Sequence, residues 1–467
     1  MRIRRYLIII AVTCIFVALA LPIAKLIDFF FFVSIVDTPA IASDGNGGAL
    51  IVYEVEAGND CGKVYVRRIA TDGSALFVDG DVLIHTGEHS GIVQTGVVTD
   101  GRGGAVIHRY GEATKLDAQG NILWQRDNHL EYDSIIGDAG DVLTPHRTYS
   151  ENESMYKASV VKTNQEGTFV WGEAGVDIPF STNVMRINLI GDDGGGAVVV
   201  IQDKSKQIIA QRIDQGGNIS WRHDGVKVFA TPNGIAPDRP IITSDGMGGA
   251  IIAWSQWPEQ TVVGNISESY PSDILVQRID VDGNIMWQKD GVALGFGAAG
   301  GMWAHNPKIV SDGSGGAIIV CEDIGNSGIG LYAQMVDAEG NVSWPEGGIT
   351  VCQLQTHQSI MFEITEDGFG GCIIVWDYKD EDGTQKPLRV QRLNSDGEPL
   401  WDGNGVQVSV DIDKFCAYPT VSEDNLGGAL IAWSTGKYFN RPEQSYIQRI
   451  DAEGNRAWEE NGILLKP

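Results

Sequence analysis

The sequence has 467 residues, more than one ordinary domain of about 100 to 200 residues unless the chain is built from repeats. Its composition of 43% hydrophobic residues, 59 glycines and 12 tryptophans, with 20% charged residues, excludes a disordered chain, a coiled coil and collagen. Lys and Arg number 34 against 61 Asp and Glu, and the net charge of -27 excludes nucleic acid as a partner because a polyanion would be repelled.

The N-terminal segment predicts a membrane address. The basic start MRIRR is followed by an uncharged stretch from Tyr6 to Ala24. At about 1.5 Å per helical residue, this stretch approaches the roughly 30 Å core of a bilayer. We expect residues 1–36 to hold a single-pass anchor and a short apolar juncture, with the arginines in the cytoplasm and the rest of the chain outside. The alternative is a signal peptide that is cleaved after Ala20, which would release the chain.

Two signatures alternate along residues 37–467. The first is an apolar strand opened by an Asp-Gly turn, as in SDGMGGAIIAW at Asp245 and SDGSGGAIIVC at Asp312. The second ends in tryptophan, as in IDVDGNIMW to Trp287. From Phe77 to Trp458 there are seven steps over 381 residues, or about 54 per step. Self-similarity at this period is typical of a propeller or a solenoid.

Each unit reads as four strands. Four prolines are expected to begin first strands such as PIITS, because proline is tolerated at the first residue of a strand: Pro39, Pro240, Pro307 and Pro419. The DGxGG turn suits a tight hairpin into a second strand such as AIIAW. ILVQRID and IMWQKDGVAL follow as the third and fourth strands. The sequence therefore predicts an all-β propeller of about eight four-stranded antiparallel blades, or seven if the worn repeat near Asp138 is not a blade.

The turn Asp-x-x-Gly-x-x-x-Trp, clearest from Asp280 to Trp287 and from Asp337 to Trp344, resembles the tryptophan-docking repeat of the quinoprotein-like eight-bladed propellers. That group includes quinone-dependent alcohol dehydrogenases and a noncatalytic scaffold lipoprotein of the outer-membrane β-barrel assembly machine. The resemblance implies that an indole of one blade stacks on the glycine turn of its neighbour. The sequence departs from the family by lacking a Thr between the Asp and the Gly. It also resembles the Asp-box of sialidases, with the Gly and Trp one residue further apart.

Several markers of catalysis are missing from the sequence. Enzymes of the resembled dehydrogenase group carry adjacent cysteines, whereas the six cysteines here form no adjacent pair and no CxxC. Cys321 and Cys372 fall in repeated strand positions and are expected in the core. HExxH, GxSxG and GxxxxGK are missing from the sequence. We therefore expect no catalytic residue and no cofactor. Sialidase-type hydrolysis would need converging arginines and a tyrosine nucleophile, which the sequence alone does not reveal.

Two aspartate pairs in the sequence are candidate ligands for calcium. Asp280 with Asp282, and Asp380 with Asp382, look like the opening of an oxygen-ligand loop. Neither pair is followed by the bidentate Glu of an EF-hand. An aspartate that caps its own turn explains the same residues. A structural turn is therefore the expected role, and low-affinity calcium binding is the alternative.

Two segments break the repeat and are candidates for recognition. One is the insertion Pro258–Ser272, which is followed by a Gly-rich segment at the next blade entry, and the other is Lys437–Tyr446, expected as the matching loop of the last unit. Function is usually carried by loops on a rigid scaffold. The candidate partner-binding residues in and beside these segments are Trp257, Tyr270, Trp303, Tyr438 and Arg441.

These observations predict an extracytoplasmic, noncatalytic propeller that acts as a protein-interaction scaffold or recognition module at the cell envelope. Its contact with the membrane is expected through the N-terminal helix only. Two alternatives stay open. One is a propeller-type hydrolase of a glycan or another envelope polymer, and the other is a sensor of a small ligand. Arginines or unpaired carboxylates that converge on the mouth of the channel would favour the enzyme.

Overall fold

The structure is a computed structural model that describes residues 39–57, 61–78, 80–88, 95–100, 102–109, 112–127, 135–136, 141–180, 182–229, 235–258, 261–263, 266–268, 273–296, 301–325, 328–354, 360–379, 385–410, 415–438 and 441–466. These residues form eight four-stranded antiparallel sheets. The first strand of each sheet contacts the first strand of the next, and the last sheet contacts the first. The sheets are therefore the blades of a closed eight-bladed propeller, and the alternative of seven blades is wrong.

The strands follow one another in chain order through the blades. Blades 1 and 2 consist of β1 (Ala40–Ser43), β2 (Ala49–Ala57), β3 (Cys61–Ile69), β4 (Val82–Glu88), β5 (Thr95–Thr99), β6 (Ala105–Arg109), β7 (Glu112–Leu116) and β8 (Ile122–Asp127). Blades 3 and 4 consist of β9 (Ile135–Ile136), β10 (Val142–Ser150), β11 (Met155–Thr163), β12 (Val176–Ile178), β13 (Val184–Gly191), β14 (Ala197–Asp203), β15 (Ile208–Ile213) and β16 (Val226–Phe229). Blade 5 consists of β17 (Ile235–Ser244), β18 (Ala250–Pro258), β21 (Asp273–Ile279) and β22 (Val292–Ala293), with a separate ribbon of β19 (Thr261–Val263) and β20 (Ile266–Glu268).

Blades 6 to 8 complete the ring. They consist of β23 (Gly301–Ser311), β24 (Ala317–Gly325), β25 (Gly328–Val336), β26 (Ile349–Leu354), β27 (Phe362–Glu366), β28 (Cys372–Lys379), β29 (Gln385–Leu393), β30 (Val406–Gln407), β31 (Phe415–Glu423), β32 (Ala429–Tyr438), β33 (Arg441–Ile450) and β34 (Ile463–Leu465).

The core lies between the blades. Second strands such as β14 are buried along their whole length. They read as continuous apolar runs because both faces of the sheet pack on a neighbouring blade. The buried clusters accordingly join adjacent blades, as when Ile274 and Trp287 of blade 5 share a cluster with Ile319 of blade 6.

The propeller has two unlike faces. Thr99 Oγ1 of blade 2 donates to Ser43 O of blade 1 (2.8 Å), and the Ser43 N–H donates to Ser422 Oγ of blade 8 (3.0 Å). These residues hold similar positions in their blades, so the inner strands run in the same direction. The strand 1–2 turns and the strand 3–4 turns therefore share one face, here named the turn face. The strand 2–3 connections and the blade-to-blade connections share the opposite face, here named the loop face.

Three expectations about strand ends were wrong. Pro240, Pro307 and Pro419 lie inside β17, β23 and β31 instead of beginning them. The fourth strand of blade 5 begins only at Val292, because Trp287 leaves the sheet to dock on blade 6. Most of the segment Lys437–Tyr446 belongs to the β32–β33 hairpin instead of a loop.

The expected anchor, from Tyr6 to Ala24, lies outside the described residues. In the part of the chain that the structure describes, no helix has the length and the apolar character needed to cross a membrane.

Candidate functional site

Seven of the eight blades are fastened to the next blade by the tryptophan that follows the 3–4 turn. The indole Nε1 donates to a backbone carbonyl in the docking turn of the following blade at 2.9 to 3.0 Å. The pairs are Trp124 to Gln165, Trp171 to Gln215, Trp221 to Val281, Trp287 to Ala338, Trp344 to Ser395, Trp401 to Ala452 and Trp458 to Thr71. The expected stacking of an indole on the glycine turn of the next blade is present. The tryptophans are therefore packing residues.

The glycine of the docking turn is required by geometry. Gly340 has φ +86°, and a Cβ at this position would lie 2.7 Å from Cδ1 and Cγ of Trp287. A side chain would therefore meet both backbone strain and the indole. Phe77 replaces the tryptophan in blade 1, and its ring lies over Gly120 in the same way.

A buried polar network joins the two kinds of turn. In blade 5, Asp245 Oδ1 accepts from the N–H groups of Met247 and Gly249, and Oδ2 pairs with Arg278 at 3.0 Å. Arg278 Nη1 also reaches Ala338 O in blade 6 at 3.2 Å. The equivalent pairs in other blades are Asp44–Arg68, Asp100–Lys115, Asp192–Arg212, Asp367–Arg392 and Asp424–Arg449. In blade 3, Lys162 pairs instead with Asp141, the residue directly before β10.

Hydrogen bonds from side chains close the ring, because blades 1 and 8 share no strand among the described residues. Trp458 of blade 8 docks on Thr71 of blade 1. Arg67 of blade 1 binds both carboxylate oxygens of Asp81 at 2.6 Å and donates to the carbonyl of Lys466 at the chain end. The turn face is thus a regular and internally bonded surface.

The inner strands are irregular at the loop-face end of the channel. The strands β17, β23 and β31 each contain a bulge in which a residue before proline takes a positive φ: Arg239 (51°), Asn306 (52°) and Tyr418 (56°). Left-handed φ at non-glycine residues is uncommon and clusters at functional sites, and bulges redirect side chains. Asn306 Nδ2 is turned back onto the buried Glu322 at 2.9 Å, and burial raises the pKa of Tyr418 to about 12.

Two arginines converge on one aspartate at this end of the channel. Arg186 Nη2 of β13 lies 3.8 Å from Asp238 Oδ1, and Arg239 Nε of β17 lies 3.6 Å from Asp238 Oδ2. The three groups carry one net positive charge in an otherwise acidic protein. Both arginines are exposed, so this cluster can attract an anionic group.

Blade 3 carries an exposed aromatic surface that adjoins Arg186 of blade 4. The rings of Tyr149 and Tyr156 meet edge to face, with centroids 5.2 Å apart, at the end of the β10–β11 hairpin. Arg147 Cζ lies 4.5 Å from the ring centre of Tyr156, and Arg147 Nη1 donates to Met185 O at 2.6 Å. We call Arg147, Tyr149, Tyr156 and Met185 the tyrosine surface. The sequence does not single this surface out because blade 3 carries the worn repeat, although two tyrosines flank its charged turn.

The structure places four of the five predicted partner-binding residues on strands, at their loop-face ends. Trp257 lies near the end of β18, Trp303 is in β23, and Tyr438 pairs with Arg441 across the end of the β32–β33 hairpin. Tyr270 lies outside the described residues. The described part of the insertion includes the β19–β20 ribbon, which is separate from the blade sheet.

The first calcium candidate is described, and its aspartate is engaged in a turn. Asp280 Oδ1 accepts from the N–H groups of Asp282 (3.0 Å) and Asn284 (2.8 Å), and Oδ2 accepts from Asn284 Nδ2 (2.9 Å). Asp380 and Asp382 lie outside the described residues. Within the described ranges, no group of three His, Cys, Asp or Glu side chains is arranged to hold a metal.

The cysteine thiols of the described residues are not paired with one another. Cys321 and Cys372 are fully buried in the core, as expected. Burial raises the pKa of both thiols, so they stay protonated at neutral pH.

The fold defines an eight-bladed β-propeller, and similar solved structures are found at low identity. An acylaminoacyl peptidase from Pyrococcus horikoshii is 12% identical (TM-score 0.44) over 86% of this chain, which spans 58% of the peptidase. An α-L-arabinofuranosidase from Fusarium graminearum is 13% identical (TM-score 0.34) over 77% of this chain and 92% of its own. A protein of unknown function from Dyadobacter fermentans is 10% identical (TM-score 0.31) over 85% and 90%. No protein-family model and no curated protein matches the sequence. These similarities say nothing about the chemistry of this chain.

Proposed function

We propose that this chain is a noncatalytic propeller scaffold at the cell envelope that binds a protein partner on its loop face. In this proposal, the segment from Tyr6 to Ala24 holds the propeller outside the cytoplasmic membrane. The charged start and the uncharged stretch of the N-terminus support that address.

The tyrosine surface is the observation that carries the proposal. Tyr, Arg and Met are enriched at protein interfaces, and tyrosine and arginine dominate their binding energy. Tyr149 is 55% exposed, yet its ring is held against Tyr156, which Arg147 holds in turn. Side chains that are already ordered lose little entropy on binding. Arg147 covers part of the Tyr156 face, which favours contact with protein side chains over a stacked sugar ring.

The loop face also has more variation than the turn face. The β19–β20 ribbon of blade 5 and the β32–β33 hairpin of blade 8 both lie on it. Connections carried by a rigid framework are the usual place for recognition. We include Trp257, Tyr270, Trp303, Tyr438 and Arg441 in the proposed partner surface.

We further propose that the chain is a distant relative of the quinoprotein-like propellers. The hydrogen bond from Trp287 Nε1 to Ala338 O, with Gly340 beneath the indole, supports this relationship.

Replacement of the tyrosine surface tests the proposed function. A full-length chain with Tyr149→Ser and Tyr156→Ser is compared with the wild type for the envelope proteins that co-purify from detergent-solubilised cells. The control is Leu123→Ser on the outer strand of blade 2, because Leu123 is also 55% exposed. We expect the tyrosine variant to lose one partner that the wild type and the control retain. Equal recovery of all partners by the three chains contradicts the proposal.

A second candidate function is hydrolysis of an anionic envelope glycan. The convergence of Arg186 and Arg239 at the channel mouth favours it, because paired guanidinium groups bind carboxylates. Incubation of the full chain with purified acidic envelope glycans, followed by chromatography of released fragments, tests this function. Fragments that Arg186→Met abolishes would establish it, and intact glycan would eliminate it.

A further inference from the structure

Blades 7 and 8 depart from the repeat at one position of the turn face. The middle residue of the DGxGG turn is Asn46, Arg102, Gly194, Met247, Ser314, Phe369 or Leu426 in the seven turns that are described. Among these seven turns, only those of blades 7 and 8 place apolar residues here in neighbouring blades. Phe369 is 71% exposed and Leu426 is 54% exposed. Large apolar side chains at the most exposed point of a turn need an explanation when they adjoin.

The two side chains belong to one surface. A Cβ at Gly427 would lie 3.7 Å from Phe369 Cε2 and 3.5 Å from the Cβ of Ala452, so Phe369 leans over the turn of blade 8. Leu426 leans in the same direction onto Gly47 of blade 1. Arg392 Cζ lies 5.1 Å from the Phe369 ring centre, and Arg392 is fixed by its buried pair with Asp367. The guanidinium group therefore supports one face of the aromatic ring. We call Phe369, Leu426 and Ala452 the apolar arc.

A second departure falls on the same two blades. The residue before the turn aspartate is Ser, Thr or Gly in the other described blades but Glu366 and Glu423 in blades 7 and 8. Glu423 reaches across the blade boundary, since a Cβ at Gly368 would lie 3.1 Å from its Oε2. Partial burial, the nearby Glu366 and Asp424 raise the pKa of Glu423. A cation placed beside these carboxylates would relieve their mutual repulsion.

The rest of the turn face has the same sign of charge. The third residue of the docking turns is an exposed acid in six of the eight blades: Asp72, Glu166, Asp282, Glu339, Asp396 and Glu453. The chain as a whole carries -27, so its field draws a cationic partner toward this face and repels a second copy of the chain.

We propose that the apolar arc of blades 7 and 8, with Glu366 and Glu423 beside it, docks a basic segment of a protein partner in which lysine or arginine alternates with apolar side chains. The apolar residues of that segment cover Phe369 and Leu426, and its cations face the two glutamates. This surface lies opposite the tyrosine surface, so it goes beyond the proposed function and adds a second attachment point to the scaffold.

A fluorescent peptide of alternating lysine and leucine probes the surface, with a glutamate–leucine peptide as the charge-reversed probe. The full-length protein in detergent is titrated by fluorescence anisotropy. The test variant is Phe369→Ser with Leu426→Asn, because Ser314 and Asn46 show that these residues suit the turn. The matched control is Met247→Ser in blade 5, at the same turn position and 57% exposed. The urea midpoint of each variant confirms that it is folded.

We expect the lysine–leucine peptide to bind the wild type and the Met247 control equally, and the test variant about tenfold more weakly. We expect Glu366→Gln with Glu423→Gln to weaken it as well, and the glutamate–leucine peptide not to bind. Equal binding by the wild type and the test variant overturns the proposal, because attraction to general negative charge would then be sufficient. No binding by the wild type also overturns it, as does a wild-type dimer that the test variant abolishes. The Tyr149→Ser and Tyr156→Ser variant should bind the peptide normally, so failure here and failure of the loop-face function are separable.

Discussion

Replacement of a docking glycine measures how strongly the indole contacts hold the ring. In Gly340→Ala, the φ of +86° costs the alanine about 1–2 kcal/mol, since this region is unfavourable for L-residues. The new methyl would lie 2.7 Å from two carbons of Trp287. Overpacking of this kind costs about 1–3 kcal/mol, so the free energy of unfolding should fall by about 2–5 kcal/mol in total.

The matched control is Gly313→Ala in the same blade. Gly313 has φ +73°, and no described atom lies within 4 Å of the added Cβ. Gly313→Ala therefore introduces the backbone strain of a positive φ without a contact with an indole. Urea unfolding of the full chain, followed by tryptophan fluorescence, should therefore give a lower midpoint for Gly340→Ala than for Gly313→Ala. Equal midpoints would refute the reasoning that the indole contact requires glycine.

Three further outcomes follow from the bonded turns. Arg278→Met should lower the free energy of unfolding by about 3 kcal/mol in thermal melts, because it leaves the buried carboxylate of Asp245 without its cation. A loss below about 1 kcal/mol is typical of a surface ion pair and would contradict this prediction. Arg67→Met should speed hydrogen exchange in residues 463–465 more than elsewhere, because Arg67 of blade 1 donates hydrogen bonds to the carbonyls of Leu464 and Lys466 in blade 8. An equal increase in exchange throughout the chain would contradict a local role for these bonds. Millimolar calcium should leave the melting temperature unchanged because the turn already uses Asp280, whereas a rise that Asp280→Ala abolishes would establish a calcium site.

The blade count and the docking geometry were predictable because both are encoded locally. The period is visible in the repeated turns, and the glycine four residues before each docking tryptophan marks the turn that the indole of the preceding blade can approach. The start of the fourth strand in blade 5 was less predictable. Met286 and Trp287 are apolar and resemble strand residues, but Trp287 docks on blade 6, and the strand begins only at Val292.

The inner-strand bulges were not predictable from one unit. Arg239 and Pro240 lie opposite the buried Trp254, and Tyr418 and Pro419 lie opposite the buried Trp433. The sign of φ there depends on tertiary packing, which local propensity does not encode. Pro240 and Pro419 lie in the bulges, yet the sequence alone favours strand starts at these residues, because the first residue of a strand is a usual place for proline.

The candidate surfaces differ in how much the sequence reveals. Phe369 and Leu426 stand out once the turns are aligned, but that they belong to one surface depends on the direction in which each side chain leans. The tyrosine surface depends on the pairing of Tyr149 with Tyr156, which the register of the β10–β11 hairpin decides. The contact with Met185 comes from a different blade and has no local signal.

The most direct test of the scaffold account is in-cell crosslinking of the tagged full-length chain, followed by mass spectrometry of its partners and of its N-terminal peptide. The account predicts reproducible crosslinks from the loop face to one envelope protein, on a chain that retains the segment from Tyr6 to Ala24. A chain that begins after Ala20, or crosslinks no more frequent than those of an unrelated exported protein, would contradict it.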